Sequence, residues 1–204
     1  MSFYHDRVVP YLVHLSMRQK TLIPYRQRVL SSASGRVLEI GSGSGLNLPF
    51  YGPAADHVVG LEPSPKLLTM AKHSVSSAPR QAEFLEASAE AIPLEDHSVD
   101  TVVSTWTLCT IPNVTRALQE MRRVLKPHGR LLFVEHGRSP DPHVRRWQDR
   151  LNPMWKPIAG GCHLNRPIAE LIGASGFRIE QIDTGYGKGP KPMTFMYEGV
   201  ARPA

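Results

Sequence analysis

Val37-Leu38-Glu39-Ile40-Gly41-Ser42-Gly43-Ser44-Gly45 carries two signals back to back. The apolar half reads as a short buried strand. The second half places glycine at every other position and reads as a tight turn whose backbone, rather than side chains, faces a ligand. Without a Cβ in the way, a nucleoside or an amino acid can lie directly on the chain. Glu39, two residues before the first glycine, falls at the carboxyl end of the strand and favours a cation there. A dinucleotide-binding loop needs Gly-x-Gly-x-x-Gly with phosphate at the helix N-terminus. Here Leu46 stands where the third glycine of that motif belongs.

Outward from this loop, composition sets the frame. The chain has 204 residues, 41% of them hydrophobic, which suits one α/β domain with a sizeable core. No stretch in Met1 to Leu30 reads as a secretory signal, and no segment approaches the ~20 apolar residues of a spanning helix. Cys109 and Cys162 lie far apart in sequence without Cys-x-x-Cys spacing, so spacing suggests neither a zinc site nor a disulfide framework. The expected setting is the reducing cytoplasm. A net charge of +6 permits an anionic partner without requiring one.

Strand and helix signals then alternate. A helix-like stretch interrupted by Pro49 follows the loop. His57 to Glu62 reads as a second strand ending in an acid, and Ser64 to Ser76 as a helix with Ser64 as N-cap and Pro65 at its first position. Ala82 to Leu85 and Ser98 to Trp106 are the third and fourth strands. Asn113 to Leu125 is an amphipathic helix halted by Lys126-Pro127-His128-Gly129, and Arg130 to Glu135 is the fifth strand. Pro167 to Gly176 is helical, and Arg178 to Asp183 and Thr194 to Val200 close the sheet. Repeated βα units imply a parallel sheet with helices on both faces. Ligands of such sheets bind beyond the carboxyl ends of the strands. Glu62 is placed there to accept from two ribose hydroxyls.

Glu39 to Gly45, Glu62, Ala89-Glu90-x-Ile92-Pro93, Ser98-Val99-Asp100 and Leu125-Lys126-Pro127-x-Gly129 occur here in the order seen in class I S-adenosylmethionine-dependent methyltransferases. The chain resembles that family over residues 35 to 200. It is similar in particular to the ubiquinone and menaquinone C-methyltransferases and the bacterial phosphatidylethanolamine N-methyltransferases. A closer similarity, to small thiol S-methyltransferases, rests on Thr107-Leu108-Cys109, Val134-Glu135-His136, and Trp155 followed by Gly161-Cys162-His163-Leu164. The mammalian thiol enzymes are membrane-anchored. This chain shows no hydrophobic anchor at its start, so none is expected.

The resemblance implies a single Rossmann-like domain over residues 35–204. Its sheet would be seven-stranded and mostly parallel, with an antiparallel C-terminal strand. Residues 1–34 would form a helical lid or substrate-side segment. The implied cofactor is S-adenosylmethionine. Glu39, Gly41, Ser42, Gly43 and Gly45 would cradle its methionine part, and Glu62 with Pro63 its ribose. Ser88, Ala89 and Glu90 would stand at the adenine, and Thr105 and Trp106 close to the sulfonium. Many relatives carry Asp at the position of Ser88; serine accepts without a charge. Leu46 and Ile92 read as packing.

The implied activity is methyl transfer to a small molecule, foremost a thiol, with a phospholipid or quinone at a membrane surface as the alternative and a non-catalytic cofactor-binding module as a second. His136 and His163 are the candidate bases or orienters, since histidine titrates near working pH. Each also has a purely structural reading, and Cys162 reads as a structural cysteine rather than a nucleophile. Val8, Tyr11, Leu12 and Leu15 share a helical face flanked by Arg18, Lys20, Arg26 and Arg28. That helix would be a lid with His14 or Tyr11 near the pocket, an interfacial helix on anionic membrane, or a helix packed on the domain. Arg145-Arg146-Trp147 with Arg150 reads as a solvated basic face rather than a nucleic-acid contact.

Overall fold

The computed structural model describes residues 4–75 and 81–204. A π turn over Tyr4–Val8 leads into α1 (Val9–Met17), followed by α2 (Ile23–Leu30). Next come β1 (Gly35–Ile40), β2 (Ala55–Leu61), α3 (Pro65–Val75), β3 (Ala82–Leu85) and β4 (Val99–Thr105). The chain continues through α4 (Val114–Val124), β5 (Leu125–His136), α5 (Pro142–Ile158), α6 (Ile168–Ala174), β6 (Phe177–Tyr186) and β7 (Phe195–Pro203). Ser76, where the sequence ends its second-strand helix, lies outside the described residues.

The seven strands form one sheet in the order β3-β2-β1-β4-β5-β7-β6. β1 pairs in parallel with β2 and β4, β2 with β3, and β4 with β5, while β7 runs antiparallel to both β5 and β6. The order reverses between β1 and β4, which opens a crevice at their carboxyl ends. Alternate residues of the central strands feed two cores. Leu38, Ile40, Val102, Leu131 and Phe133 pack with α4 and α6 on one face. Val37, Val58, Val103, Leu132 and Val134 pack with α2 on the other. Strand periodicity therefore places both cores, and a shift of one residue in register would exchange them.

Three expectations change. The helix-like stretch after the glycine loop is only a 3-10 turn over Leu48–Phe50. Pro49 lies within it and Pro53 follows it, and Asn47 and Tyr51 turn inward to hydrogen-bond a buried carboxylate. The fifth strand begins at Leu125, which pairs with Val99, and a register shift absorbs the Lys126–Gly129 segment that ends α4. The fourth strand ends at Thr105, because Trp106 adopts φ 52° and leaves the sheet direction. Among the described residues no helix is long and apolar enough to cross a membrane.

Candidate cofactor and acceptor site

The glycine loop turns on three left-handed residues, Gly41, Gly43 and Gly45, with φ of 64°, 55° and 77°. Their surroundings differ. A Cβ on Gly41 would sit 2.5 Å from the Thr107 side chain, and one on Gly45 would sit 3.3 Å from Ala71 Cα. A Cβ on Gly43 would meet nothing nearer than the Gly41 carbonyl oxygen at 4.0 Å. Gly41 and Gly45 thus allow protein to approach protein, and Gly43 faces open space. Ser42 between them is buried, and its Oγ has no hydrogen-bond partner among the described residues.

Glu62 follows β2 and ties this loop to the next helix. Its Oε2 accepts from the Gly43 N–H at 3.0 Å and its Oε1 from the Ser64 N–H at 3.0 Å. Burial raises its pKa against these two hydrogen bonds. Each carboxylate oxygen keeps acceptor capacity for a hydroxyl, as a ribose clamp requires. Exposed Pro63 and the Ser64 cap then start α3.

Glu39 sits at the end of β1 as expected, but it is 1% exposed and already engaged. Asn47 Nδ2 donates to its Oε1 at 2.8 Å and Tyr51 O–H to its Oε2 at 2.7 Å. Asn47 also donates to Thr105 Oγ1 at 2.9 Å and accepts from Arg26 Nε at 2.7 Å. The Arg26 guanidinium lies 5.0 Å over the Trp106 ring. Burial pushes Glu39 up to about 7, opposed by the Tyr51 and Asn47 hydrogen bonds and by Arg26. This network joins Glu39, Thr105 and Trp106 into one wall. Sequence spacing showed neither Asn47 nor Tyr51 nor the part of Arg26, whose burial depends on α2 folding over the loop.

After β3, Ser88 Oγ accepts from the Glu90 N–H at 3.2 Å, and Glu90 Oε1 accepts from the Asn113 N–H at 2.8 Å. Glu120 accepts from the Ile92 N–H at 3.0 Å, and Arg123 donates to the Ile92 and Leu94 carbonyls. Glu90 therefore fastens the post-β3 loop to α4, while Ser88 stays exposed and buried Ala89 and Ile92 join the core.

The chain segments that carry the two candidate histidines meet at a pair of sulfur atoms. His136 ends β5, with Nδ1 3.8 Å from Cys162 Sγ and Nε2 buried without a hydrogen-bond partner among the described residues. The His163 N–H donates to the Cys109 carbonyl at 2.8 Å, which pins the loop after α5 to the loop after β4. Desolvation lowers the His163 pKa, with Arg166 and Lys156 adding to it. Cys109 and Cys162, 53 positions apart, bring their sulfurs to 3.6 Å. Their separation in sequence concealed this contact. The contact with Cys109 lowers the Cys162 pKa, opposed by burial and helped by His136. Glu135, the residue before His136, is held by the end of β4 and the loop after it. It accepts from Ser104 Oγ at 2.7 Å and from the Thr107 N–H at 3.1 Å, and burial pushes it up to about 7.

The N-terminal segment reaches the same edge. His14 Nδ1 lies 2.6 Å from Ser44 Oγ in the glycine loop. Tyr11, by contrast, is 52% exposed, with Leu12 and Leu15 also outward, so the apolar face of α1 is not packed on the domain.

A doubly wound sheet with an acid-led glycine loop and a carboxylate after β2 defines a class I S-adenosylmethionine-dependent methyltransferase, and the chain belongs to that family. A methyltransferase-domain family model matches residues 38–133. Among relatives, the thiol S-methyltransferase TMT1B of Homo sapiens is 41% identical over 178 residues, covering 83% of this chain and 70% of the relative. The chain spans 62% of the TMT1B of Rattus norvegicus, at 39% identity over 72% of its own length. A phosphatidylethanolamine N-methyltransferase of Cereibacter sphaeroides is 31% identical over 52% of this chain and 53% of the relative. The fold matches the Bacillus subtilis YcgJ structure with TM-score 0.66 at 22% identity, over 81% of this chain and 72% of that one. It matches a methyltransferase structure from Thermotoga maritima with TM-score 0.68 at 19% identity, over 99% of each chain. The cofactor of the family, S-adenosylmethionine, suits what the site offers: an open backbone face at Gly43, an unpartnered Ser42 hydroxyl, and Glu62 as a paired acceptor.

Proposed function

We propose that the chain transfers the methyl group of S-adenosylmethionine to a small thiol. The observation that carries this reading is the meeting of three loops beyond the carboxyl ends of β4 and β5, where the His163 N–H donates to the Cys109 carbonyl and His136 Nδ1 lies 3.8 Å from Cys162 Sγ. The sequence identity with thiol S-methyltransferases supports the same acceptor. The bound cofactor supplies an electrophilic methyl group on a sulfonium that is already an excellent leaving group. Ser42, Gly43 and Glu62 would hold it, and the Glu39–Asn47–Tyr51–Arg26 network would fix Thr105 and Trp106 beside it. The protein then has to align the acceptor with the methyl carbon, and orientation of that kind supplies ~7–11 kcal/mol in favourable systems. His163, whose pKa is lowered by desolvation with Arg166 and Lys156 adding to it, takes the thiol proton. Residues 1–34 act as a lid through the His14–Ser44 contact.

The test is the turnover of a small alkyl thiol against pH. His163→Ala should lower turnover ~10²–10⁴-fold near neutrality. Activity should recover once pH passes the thiol's own pKa of ~8.5 and the thiolate forms in solution. A defect of equal size at every pH would contradict proton removal by His163.

A second reading has one observation in its favour. Leu12 and Leu15 on α1 and Met154 and Ile158 on α5 are exposed. The Tyr4 O–H donates to the Ile158 carbonyl, which brings the two helices together. With Arg18 and Lys20 nearby, this face suits an anionic lipid surface and an acceptor drawn from it. Flotation with anionic vesicles, absent with neutral ones and lost in Leu12→Ser/Leu15→Ser, would favour this reading; no flotation would contradict it.

A further inference from the structure

Three groups of different origin converge at one point beyond the carboxyl ends of β4 and β5. Cys109 belongs to the loop after β4, His136 is the last residue of β5, and Cys162 lies in the loop after α5. Their ligand atoms all lie within 4.8 Å of one another. A tetrahedral zinc with Zn–S ~2.3 Å and Zn–N ~2.0–2.1 Å holds its sulfurs ~3.8 Å apart and each sulfur ~3.6 Å from the nitrogen. The two sulfurs here are 3.6 Å apart, and Cys162 Sγ is 3.8 Å from His136 Nδ1. Cys109 and His136 are buried, and Cys162 is half-buried, which leaves a path from solvent. We propose that Cys109, His136 and Cys162 form a three-ligand zinc site whose fourth position is open to the sulfur of the acceptor.

The donor set fits the ion. Two thiolates and an imidazole are soft ligands suited to zinc, and three protein ligands with one open position distinguish a reactive site from a closed structural one. The two thiolates neutralise the dication. The Arg166 guanidinium, which interacts with both cysteines, offsets the charge of a further thiolate. The site lies beside the cofactor loop. Cys109 Sγ reaches the Trp106 carbonyl at 3.5 Å, and Thr107, between them, packs over Gly41.

The three protein ligands do not depend on the acceptor, whereas the fourth rests on the thiol reading above. Metal uptake releases the two cysteine protons to solvent. The acceptor R–S–H then gives its proton to His163 as its sulfur binds zinc. That sulfur forms the new S–CH3 bond while the sulfonium S–CH3 bond breaks, its electron pair remaining on S-adenosylhomocysteine. The neutral methyl thioether, a weaker ligand, leaves the metal. His136 in this arrangement orients through the metal and takes no proton.

The full chain, stripped of metal by a chelator under a phosphine reductant, is titrated with cobalt(II) and then with zinc. Cobalt should bind as a single equivalent, with the visible bands of a tetrahedral ion and thiolate charge transfer, and zinc should displace it. A small alkyl thiol should intensify the charge transfer as a third sulfur joins. Cys109→Ser and Cys162→Ser should each weaken metal binding by more than ~100-fold, beyond the ~10–100-fold cost of losing an outer partner. Calorimetric binding of S-adenosylhomocysteine shows that each variant is folded. Wild-type chain that binds S-adenosylhomocysteine but takes up no cobalt overturns the site. A cobalt spectrum indifferent to thiol overturns its open position. Undiminished thiol methylation by the stripped protein overturns the part of the metal in turnover and leaves the thiol reading standing. A metal-loaded chain that methylates no thiol removes the acceptor reading and leaves the three-ligand site.

Discussion

At the scale of single residues, the three loop glycines do different work, and substitution separates them. Gly43→Val adds a branched side chain at φ 55° where no protein atom stands in the way. It should abolish calorimetric binding of S-adenosylhomocysteine while circular dichroism and cooperative melting still report a folded domain. Retained binding would mean that the ligand lies elsewhere. Glu62→Ala should weaken the same binding by ~1.5–3 kcal/mol, the worth of hydrogen bonds to a charged group. Glu39 and Glu135 add a pH dependence. Burial raises both to about 7 from an ordinary 4.5, so between those values the folded state holds more protons than the unfolded state. The stability of the free protein from these groups therefore falls as pH rises through that window. The cationic methionine end of the cofactor favours ionised Glu39, so affinity should rise across the same window and level off above it. Glu39→Gln should flatten that rise. A wild-type affinity that is flat with pH would contradict a cation beside Glu39.

Elements show what a sequence can and cannot announce. α4 was legible because Val114, Ala117, Leu118, Met121 and Val124 recur at helical spacing behind an Asn113 cap, and all five are buried. Asn113→Ala should cost ~1 kcal/mol, measured by denaturant unfolding. β1 and its loop were legible because an apolar run followed by glycines has few other uses. The segment after the loop was misread as helical because its side chains answer to Glu39 rather than to a helical period. α1 shows the same limit. Its apolar face has helical spacing, yet Tyr11, Leu12 and Leu15 point outward, and the residue that touches the loop is the polar His14. If α1 is a lid, His14→Ala should speed cofactor release in stopped-flow measurements with little change in melting temperature. An unchanged release rate would contradict the lid.

For the molecule as a whole, the strand order collects residues that the chain keeps apart. Glu39, Glu62, Thr105 and His136 stand at the carboxyl ends of four strands, which the order β2-β1-β4-β5 sets side by side. Motif order made the cofactor half readable, since each piece stands directly after a strand. The proposed acceptor half is less readable, because it depends on the loop after α5 returning Cys162 and His163 to Cys109 in the loop after β4. No spacing rule encodes that return. The central claim is methyl transfer to a thiol, and the location of the transferred methyl tests it most directly. The chain is incubated with methyl-labelled S-adenosylmethionine and a panel of thiols, amines, phenols, quinols and phosphatidylethanolamine vesicles, and the products are separated. The account predicts label on the sulfur of small thiols and equimolar S-adenosylhomocysteine. Label on phosphatidylethanolamine or a quinol, with none on any thiol, would contradict it.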